Sequence, residues 1–260
     1  MTPPLVLEER RGPCAVLTFN RPDKLNALST PMLQELEGRL DVAEAAPDVR
    51  AVSLTGAGDR AFVAGADIGE YAELDAGAFD DYQRFSRRLF SRIDRFGKPV
   101  IGAINGYALG GGFEVALCCD VLLATPNAVF GLPEGLLGLS PGGGGSQRLT
   151  RAVGPFVAAD VLLSAGRLSA DDALRLGLVS EVVEPTELVR RAVEKADAMS
   201  KVAPLATVEL LRLVEIAGDV PLEDGLTLEQ EALARLRGTA DANEGIRAFV
   251  EKREPRFRGG

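Results

Sequence analysis

The chain has 260 residues, 46% hydrophobic and 26% charged, which is enough for one domain, or one domain with a helical appendage, around a substantial core. Its formal net charge of −9 argues against non-specific nucleic-acid binding, and an anionic ligand would need a local basic cluster. It has no histidine, which excludes His-based acid–base catalysis and Ser-His-Asp constellations and removes the commonest zinc ligand.

The first half of the chain predicts alternating strands and helices, as in α/β proteins. Gly12-Pro13 indicates a hairpin, and Ser29 or Thr30 can cap a helix that has Pro31 at its first position. One face of that helix is apolar: Leu33, Leu36, Leu40 and Ala43. The predicted strands are 5–8, 14–19, 50–55, 99–104 and 120–124, and further helices are predicted over 78–96 and 113–119.

The second half predicts mostly helices, with one short strand at 179–183. Because only helices follow residue 200, we predict a core over 1–200 and a helical region over 201–260. An apolar stripe in that region can be core or a subunit interface: Leu210, Leu213, Val214 and Ile216. The predicted helices are 146–153, 155–164, 169–176, 186–200, 204–217, 222–237 and 241–251.

Features that decide location point to the cytoplasm. No run of about 18 apolar residues is present, and the N-terminus lacks the basic and apolar regions of a signal peptide. Cys14, Cys118 and Cys119 form no disulfide framework and are predicted to be buried thiols in a reducing compartment. We therefore expect a cytoplasmic protein with no membrane or nucleic-acid partner.

Three glycine-rich patterns resemble known sites without meeting their physical requirements. The 56–61 segment matches a loose dinucleotide fingerprint, but no helix start follows it. The 138–142 segment matches a nucleophile elbow, yet Pro141 has no N–H for an oxyanion hole, so a tight turn is expected. The 142–145 segment lacks the Lys-Ser/Thr of a phosphate loop but presents free amides before a helix.

Two glutamates lie among apolar residues beside glycine-rich backbone. Glu114 follows three glycines inside an apolar helix, and Glu134 sits in Phe130-Gly-Leu-Pro-Glu-Gly-Leu-Leu137. A carboxylate in apolar surroundings is costly unless it is paired or protonated. Each could instead be exposed at a helix start, where the helix dipole favours a negative charge. Together, in a chain without histidine, they are a candidate acid–base pair.

Five segments resemble the crotonase, or enoyl-CoA hydratase/isomerase, superfamily in the family's order and spacing, over almost the whole chain. They are Asn20-Arg-Pro-Asp-Lys-Leu-Asn-Ala-Leu28, Phe62-Val-Ala-Gly-Ala-Asp-Ile68, Asn105-Gly-Tyr-Ala-Leu-Gly-Gly-Gly-Phe-Glu114, Pro133-Glu-Gly-Leu-Leu-Gly-Leu-Ser-Pro-Gly-Gly-Gly-Gly-Ser-Gln-Arg-Leu149 and Ala248-Phe-Val-Glu-Lys-Arg-Glu-Pro-Arg-Phe257. The resemblance implies an α/β fold, a spiral of repeated ββα units with a C-terminal helical trimerisation region, as a homotrimer or a homohexamer built as a dimer of trimers.

The resemblance also implies a reaction and its residues. An oxyanion hole maps to the N–H groups of Ala66 and Gly111. The pair Glu114 and Glu134 favours hydration of a trans-2-enoyl-CoA, with Glu114 as base and Glu134 as acid, although the reverse assignment stays open. No metal and no cofactor are expected, because coenzyme A is part of the substrate. The rivals are an isomerase, a dehydratase for a branched or aromatic acyl-CoA, and a catalytically silent acyl-CoA-binding protein.

The resemblance further implies where the substrate lies. Lys24 and Lys252 would supply local positive charge, although each can equally be a solvated surface residue. Phe249 and Lys252, of the same subunit or of a neighbouring one, would reach the adenine end. Gly135 departs from the family pattern, because the family more often has a larger residue at this position. The difference bears on which substrate is accepted more than on the reaction class. The expected contacts are Lys24, Ala27, Leu28, Ala64, Gly65, Ala66, Asp67, Ile68, Gly142, Phe249 and Lys252.

Overall fold

Two β-sheets, one of six strands and one of four, organise the chain in the computed structural model, which describes residues 3–260. The strands are β1 (Val6–Arg11), β2 (Cys14–Phe19), β3 (Ala51–Gly56), β4 (Ala61–Val63), β5 (Val100–Ile104), β6 (Tyr107–Leu109), β7 (Val121–Ala124), β8 (Val129–Gly131), β9 (Arg167–Ser169) and β10 (Glu181–Val182). The helices are α1 (Thr30–Ala45), α2 (Ile68–Glu73), α3 (Ala76–Asp94), α4 (Gly111–Ala116), α5 (Gly145–Val153), α6 (Pro155–Ser164), α7 (Ala170–Arg175), α8 (Leu188–Ser200), α9 (Pro204–Ile216), α10 (Leu222–Arg237) and α11 (Ala240–Glu251).

From β3 to β8, successive strands alternate between the two sheets. The larger sheet has the order β1-β2-β3-β5-β7-β10 and the smaller one β4-β6-β8-β9. In each of the pairs β3/β4, β5/β6 and β7/β8, the first strand joins the larger sheet and the second joins the smaller one. A helix, or the short 3₁₀ turn Pro133–Leu137 after β8, follows each pair. This repeat is the ββα spiral, so the expected fold class is confirmed.

Burial explains why the inner strands are apolar along their whole length. Every residue of β3 and β5 is buried, as expected for parallel strands covered on both faces. The edge strand β1 pairs antiparallel with β2 and carries four charged residues in a row, 8–11. Charge on an edge strand discourages pairing with another chain.

The two sheets and α4 meet in one apolar core. The rings of Phe19 in β2 and Phe62 in β4 lie 5.4 Å apart, edge to face. A Cβ atom at Gly112 would lie 2.0 Å from the carbonyl oxygen of Val63. Only glycine therefore lets α4 approach β4 this closely, and the start of α4 at Gly111 also lies close to Ala66, before α2.

Helix α1 begins where the sequence predicts, but its cap is different. Its apolar face is buried as expected, whereas Ser29 forms no side-chain capping bond and Pro31 is the second helical residue. The carboxylate of Glu70, in α2, accepts hydrogen bonds from the Thr30 N–H, at 3.0 Å, and from its hydroxyl. The prediction of a local cap is wrong: Ser29 makes no capping bond, and the N–H and hydroxyl of Thr30 are bound by a carboxylate 40 residues away.

The strands of the smaller sheet and the short helix α2 were not predicted from the sequence. Strands β4, β6, β8 and β9 have three residues each, and α2 has six. Segments of that length show too few repeats for periodicity to be visible. Helix α3 was predicted with its full length but two residues too late, since Asp75 caps it and it begins at Ala76.

The elements that follow Ser200 are all helices, and few of their side chains are buried. Helix α9 has no buried residue, with Leu210 and Val214 54% and 77% exposed, so the apolar stripe is not core within one chain. The division at residue 200 stays a prediction. Cys14 and Cys118 are buried and Cys119 is half-buried, all with free thiols. Within residues 3–260, every helix is too short or too polar to cross a bilayer.

Candidate active site

A cavity of about 520 Å³ lies between α2, α3, the start of α4 and the turn after β8. Both glutamates and both candidate oxyanion amides line it, so the structure brings the four predicted residues together. Most of the remaining wall is apolar or small, which is typical of a substrate pocket with few polar groups. Its other main lining residues are Leu28, Ala64, Gly65, Ile68, Tyr71, Phe79, Tyr82, Gln83, Arg84, Ser86, Arg87, Phe90, Gly110, Pro133, Leu137, Leu139, Ser140 and Gly142.

Two main-chain N–H groups of residues that line this cavity have no acceptor within residues 3–260. Leu28 donates to the Gly65 oxygen and Asp67 donates to the Leu28 oxygen, each at 2.8 Å, which leaves the N–H of Ala66 between them without an acceptor among the described residues. Gly111 is the first residue of α4, where an N–H has no partner inside the helix. A Cβ atom at Gly111 would lie 3.9 Å from the Ala66 nitrogen. The two donors are therefore close enough to share one oxygen.

Glu114 is a buried carboxylate held by main-chain donors. Gly143 and Gly145 each donate an N–H to its Oε1 at 2.8 Å. Burial raises the pKa of Glu114, while these N–H groups and the charge of Arg148 oppose that rise. The free amides that the sequence predicts at 142–145 thus serve a carboxylate of the same chain.

Glu134 lies in the 3₁₀ turn after β8, and its carboxyl accepts fewer hydrogen bonds than that of Glu114. Its Oε2 is buried and has no hydrogen-bond partner among the described residues. Burial, with a smaller contribution from the negative charge of Glu114, raises the pKa of Glu134 to about 7. A carboxyl in this state can hold a proton near neutral pH and give it up to a reacting atom.

The predicted substrate contacts divide into two groups. Six of them line the cavity: Leu28, Ala64, Gly65, Ala66, Ile68 and Gly142. Lys24 and Ala27 lie in the preceding segment outside its wall, and the Asp67 carboxylate caps α2 and pairs with Arg21 at 2.9 Å. Phe249, 85% exposed, and Lys252 lie at the end of α11 and do not line the cavity of their own chain.

Several wall residues were missed by sequence reasoning. Phe79 and Tyr82 lie in the helix predicted over 78–96, but the sequence does not place them in a cavity. Gln83 donates to the hydroxyl of Tyr71 at 3.1 Å and closes the wall beside Phe90. Nothing in the local pattern marks them, because their role depends on the turn after β8 that faces them.

The rejected glycine patterns have the structures expected of them. After 56–61 the chain enters β4 rather than a helix, and 138–142 lies in turns, with Ser140 in the cavity wall. In the described part of the chain no group of three or more Cys, Asp or Glu side chains is arranged to hold a metal ion.

Comparisons with known proteins identify the family of this chain. The family model described as enoyl-CoA hydratase/isomerase matches residues 9–260. A short-chain-enoyl-CoA hydratase of Clostridium acetobutylicum is 41% identical over 96% of this chain and 95% of its own length. A crotonyl-CoA hydratase of Syntrophomonas wolfei is 39% identical over 97% of each chain. The crystal structure of an enoyl-CoA hydratase from Bacillus anthracis superposes with a TM-score of 0.94 at 35% identity, covering 98% of this chain and 100% of that one.

Proposed function

The chain belongs to the enoyl-CoA hydratase/isomerase family, and on that premise we propose how its cavity adds water to a trans-2-enoyl-CoA. The protein is an enoyl-CoA hydratase, a hydro-lyase that acts on an acyl-CoA. The observation that carries the mechanism is that two carboxyls with different surroundings and two free main-chain N–H groups line one cavity.

The thioester oxygen is proposed to lie between the N–H groups of Ala66 and Gly111. When water attacks Cβ, the π electrons of the double bond move toward the carbonyl, and its oxygen becomes enolate-like. Donors already aimed at that oxygen stabilise the transition state more than the ground state. One such donor typically contributes about 3–4 kcal/mol.

The two glutamates are proposed to divide the proton transfers between them. Glu114, ionised and held by Gly143 and Gly145, takes a proton from the water as the water oxygen bonds to Cβ. Glu134, protonated, gives its proton to Cα, which completes a syn addition. Its unpartnered Oε2 and its pKa of about 7 support the role of acid. The steps require no metal and no cofactor, since coenzyme A belongs to the substrate.

The coenzyme A moiety is proposed to run from the cavity past 64–68 toward Ala27 and Lys24. Phe249 and Lys252 do not line the cavity of their own chain, so we propose that they reach the coenzyme A of a neighbouring subunit. An unchanged Kd for coenzyme A in Lys24→Ala would remove that lysine from the proposal.

A homotrimer, alone or paired into a hexamer, is proposed as the assembly. Large apolar side chains are exposed on several helices. Exposed apolar surface of this kind indicates a protein–protein interface, whereas a single exposed apolar residue does not. Light scattering that found only a monomer would contradict the proposal. These side chains are Phe156, Leu163, Leu210, Val214, Leu222, Leu233, Phe249 and Val250.

Substitution of each glutamate by glutamine tests the mechanism with crotonyl-CoA, followed by loss of the conjugated thioester absorbance. Glutamine keeps the size of the side chain and removes the titratable proton. Glu114→Gln and Glu134→Gln are each expected to lower kcat by about 10²- to 10⁴-fold. The Kd for the unreactive butyryl-CoA should change by less than about threefold, because the chemistry and not the binding is lost.

Glu229→Gln is the matched control, since Glu229 is an exposed residue of α10 far from the cavity wall. It should retain wild-type kcat. Full activity in either cavity variant would remove that glutamate from the mechanism.

A further inference from the structure

Arg148, in the first turn of α5, folds back over the glycine-rich segment that precedes the helix. Its Nη1 donates to the carbonyl oxygen of Gly143 at 2.9 Å. Its Nη2 and Nε donate to the Asp94 carboxylate, at the end of α3, at 2.7 and 3.3 Å. The two side chains are only 22% and 29% exposed, so this ion pair is better shielded than a surface pair.

The other side of the same segment faces Glu114. The N–H groups of Gly143 and Gly145 donate to Glu114 Oε1, so the carbonyl that Arg148 binds lies between the two donors of that carboxylate. Arg148 thus fixes the segment that carries both donors. Its positive charge also lowers the pKa of the Glu114 carboxyl, because an opposite charge favours the ionised form.

The segment is shaped for this arginine. Gly144 has φ +109°, a conformation that side chains other than glycine rarely adopt, and a Cβ atom there would lie 2.1 Å from Nη1 of Arg148. A side chain at this position would displace the guanidinium.

We propose that Arg148, oriented by Asp94, is a positioning residue that keeps Glu114, rather than Glu134, as the carboxylate that activates water. It acts through the 143–145 segment and does not touch the substrate. The inference rests on the proposed function, because it assigns a cause to the division of labour between the two glutamates.

Arg148 is the cation whose charge lowers the pKa of Glu114. Glu134 lines the same cavity as Glu114. The negative charge of Glu114 raises the pKa values of Glu134, Tyr71 and Cys118. Helix α3 contributes Asp94, which is paired with Arg148, and Tyr82, Arg84 and Arg87 of the cavity wall. Strands β4 and β6 contribute only Tyr107. Loss of Arg148 would remove the positive charge that lowers the pKa of Glu114.

The test is the pH profile of kcat/KM for crotonyl-CoA hydration in Arg148→Gln, Arg148→Lys and the wild type. Glu114 must be ionised to act, so activity falls on the acidic side as the pair gains a proton. Arg148→Gln should move this acidic limb upward by about one pH unit, because an opposite charge near the carboxylate is lost. At the optimum kcat should fall about tenfold, while KM stays within about twofold.

Arg148→Lys keeps the charge and one donor but loses the fork that binds Asp94 and Gly143 together, so its acidic limb should lie between those of the other two. Arg151→Gln is the matched control. Arg151 lies one turn further along α5 and pairs with Asp219 on the surface, so its profile should superpose on that of the wild type.

The outcomes separate the inference from a merely structural role and from the proposed function. A folded Arg148 variant whose acidic limb stays at the wild-type pH would overturn the inference, even if its thermal stability falls. If Arg148→Gln does not fold, the Arg148→Lys limb decides. A wild-type protein that does not hydrate crotonyl-CoA or any other enoyl-CoA would instead overturn the proposed function.

Discussion

The two glutamates of the cavity are the same side chain in two different settings. Glu114 lies in a helix, and its Oε1 is fixed by two N–H groups from a segment 29 to 31 residues further along the chain. Glu134 lies in a short turn with a buried oxygen that nothing in the described chain satisfies. The contrast teaches that local sequence provides the carboxyls, while the donors around each one decide which of them keeps its proton.

The largest expected effect comes from removing both carboxyls. If the two glutamates act on one water, the kcat of the double variant Glu114→Gln/Glu134→Gln should be only slightly lower than that of the less active single variant. The expected loss in kcat relative to the wild type is roughly a thousandfold. Stopped-flow hydration of crotonyl-CoA measures all three variants. Losses that multiply, so that the double variant falls by the product of the singles, would mean that the glutamates work independently.

An intermediate effect is expected from crowding the donors of Glu114. A Cβ atom at Gly143 would lie 2.4 Å from the Phe90 ring and 2.8 Å from Glu114 Oε2. Gly143→Ala must therefore displace the ring or the carboxylate, and kcat should fall by roughly 10- to 100-fold.

Gly38→Ala is the control for Gly143→Ala. Gly38 lies inside α1 with open space around its Cβ position, so alanine should leave kcat unchanged and stabilise the fold by about 0.5–1 kcal/mol. Wild-type kcat in Gly143→Ala would show that the fixed geometry around Glu114 is not required.

The smallest expected effect concerns stability. The Glu134 carboxyl titrates near 4.5 in an unfolded chain and about 7 in the fold. Between these values the folded state binds the proton more tightly, so the free energy of unfolding falls as pH rises through that window. Glu134→Gln has no charge to bury and should gain stability over the wild type by about 1 kcal/mol at pH about 8, allowing for partial exposure, and little at pH about 4.5.

Urea unfolding at both pH values measures this gain. Glu229→Gln, at an exposed position, should show the same small difference at each pH. An equal effect of Glu134→Gln at both pH values would mean that the carboxyl is not protonated in the fold near neutral pH.

Long buried elements could be predicted from the sequence. The apolar runs of β3 and β5 and the helical period of α1 and α3 are visible in the chain, because burial of a strand or of one helix face leaves a repeat of several residues. The resemblance to the family likewise mapped Ala66, Gly111, Glu114 and Glu134, which the structure brings to one cavity.

Contacts between distant segments could not be predicted in this way. The three-residue strands of the smaller sheet, the Glu70 carboxylate that caps α1, and the cavity wall made by Tyr71 and Gln83 all depend on partners far along the chain.

The sequence by itself determined that acid–base chemistry must proceed without histidine, and that carboxyls and main-chain amides are available for it. Only the tertiary structure decided that the glycine-rich segment turns its amides on Glu114, that Arg148 and Asp94 hold that segment, and that Glu134 is left with an unsatisfied oxygen. The reason is that the ionisation of a carboxyl depends on the dipoles, charges and solvent around it, and chain folding alone brings these together.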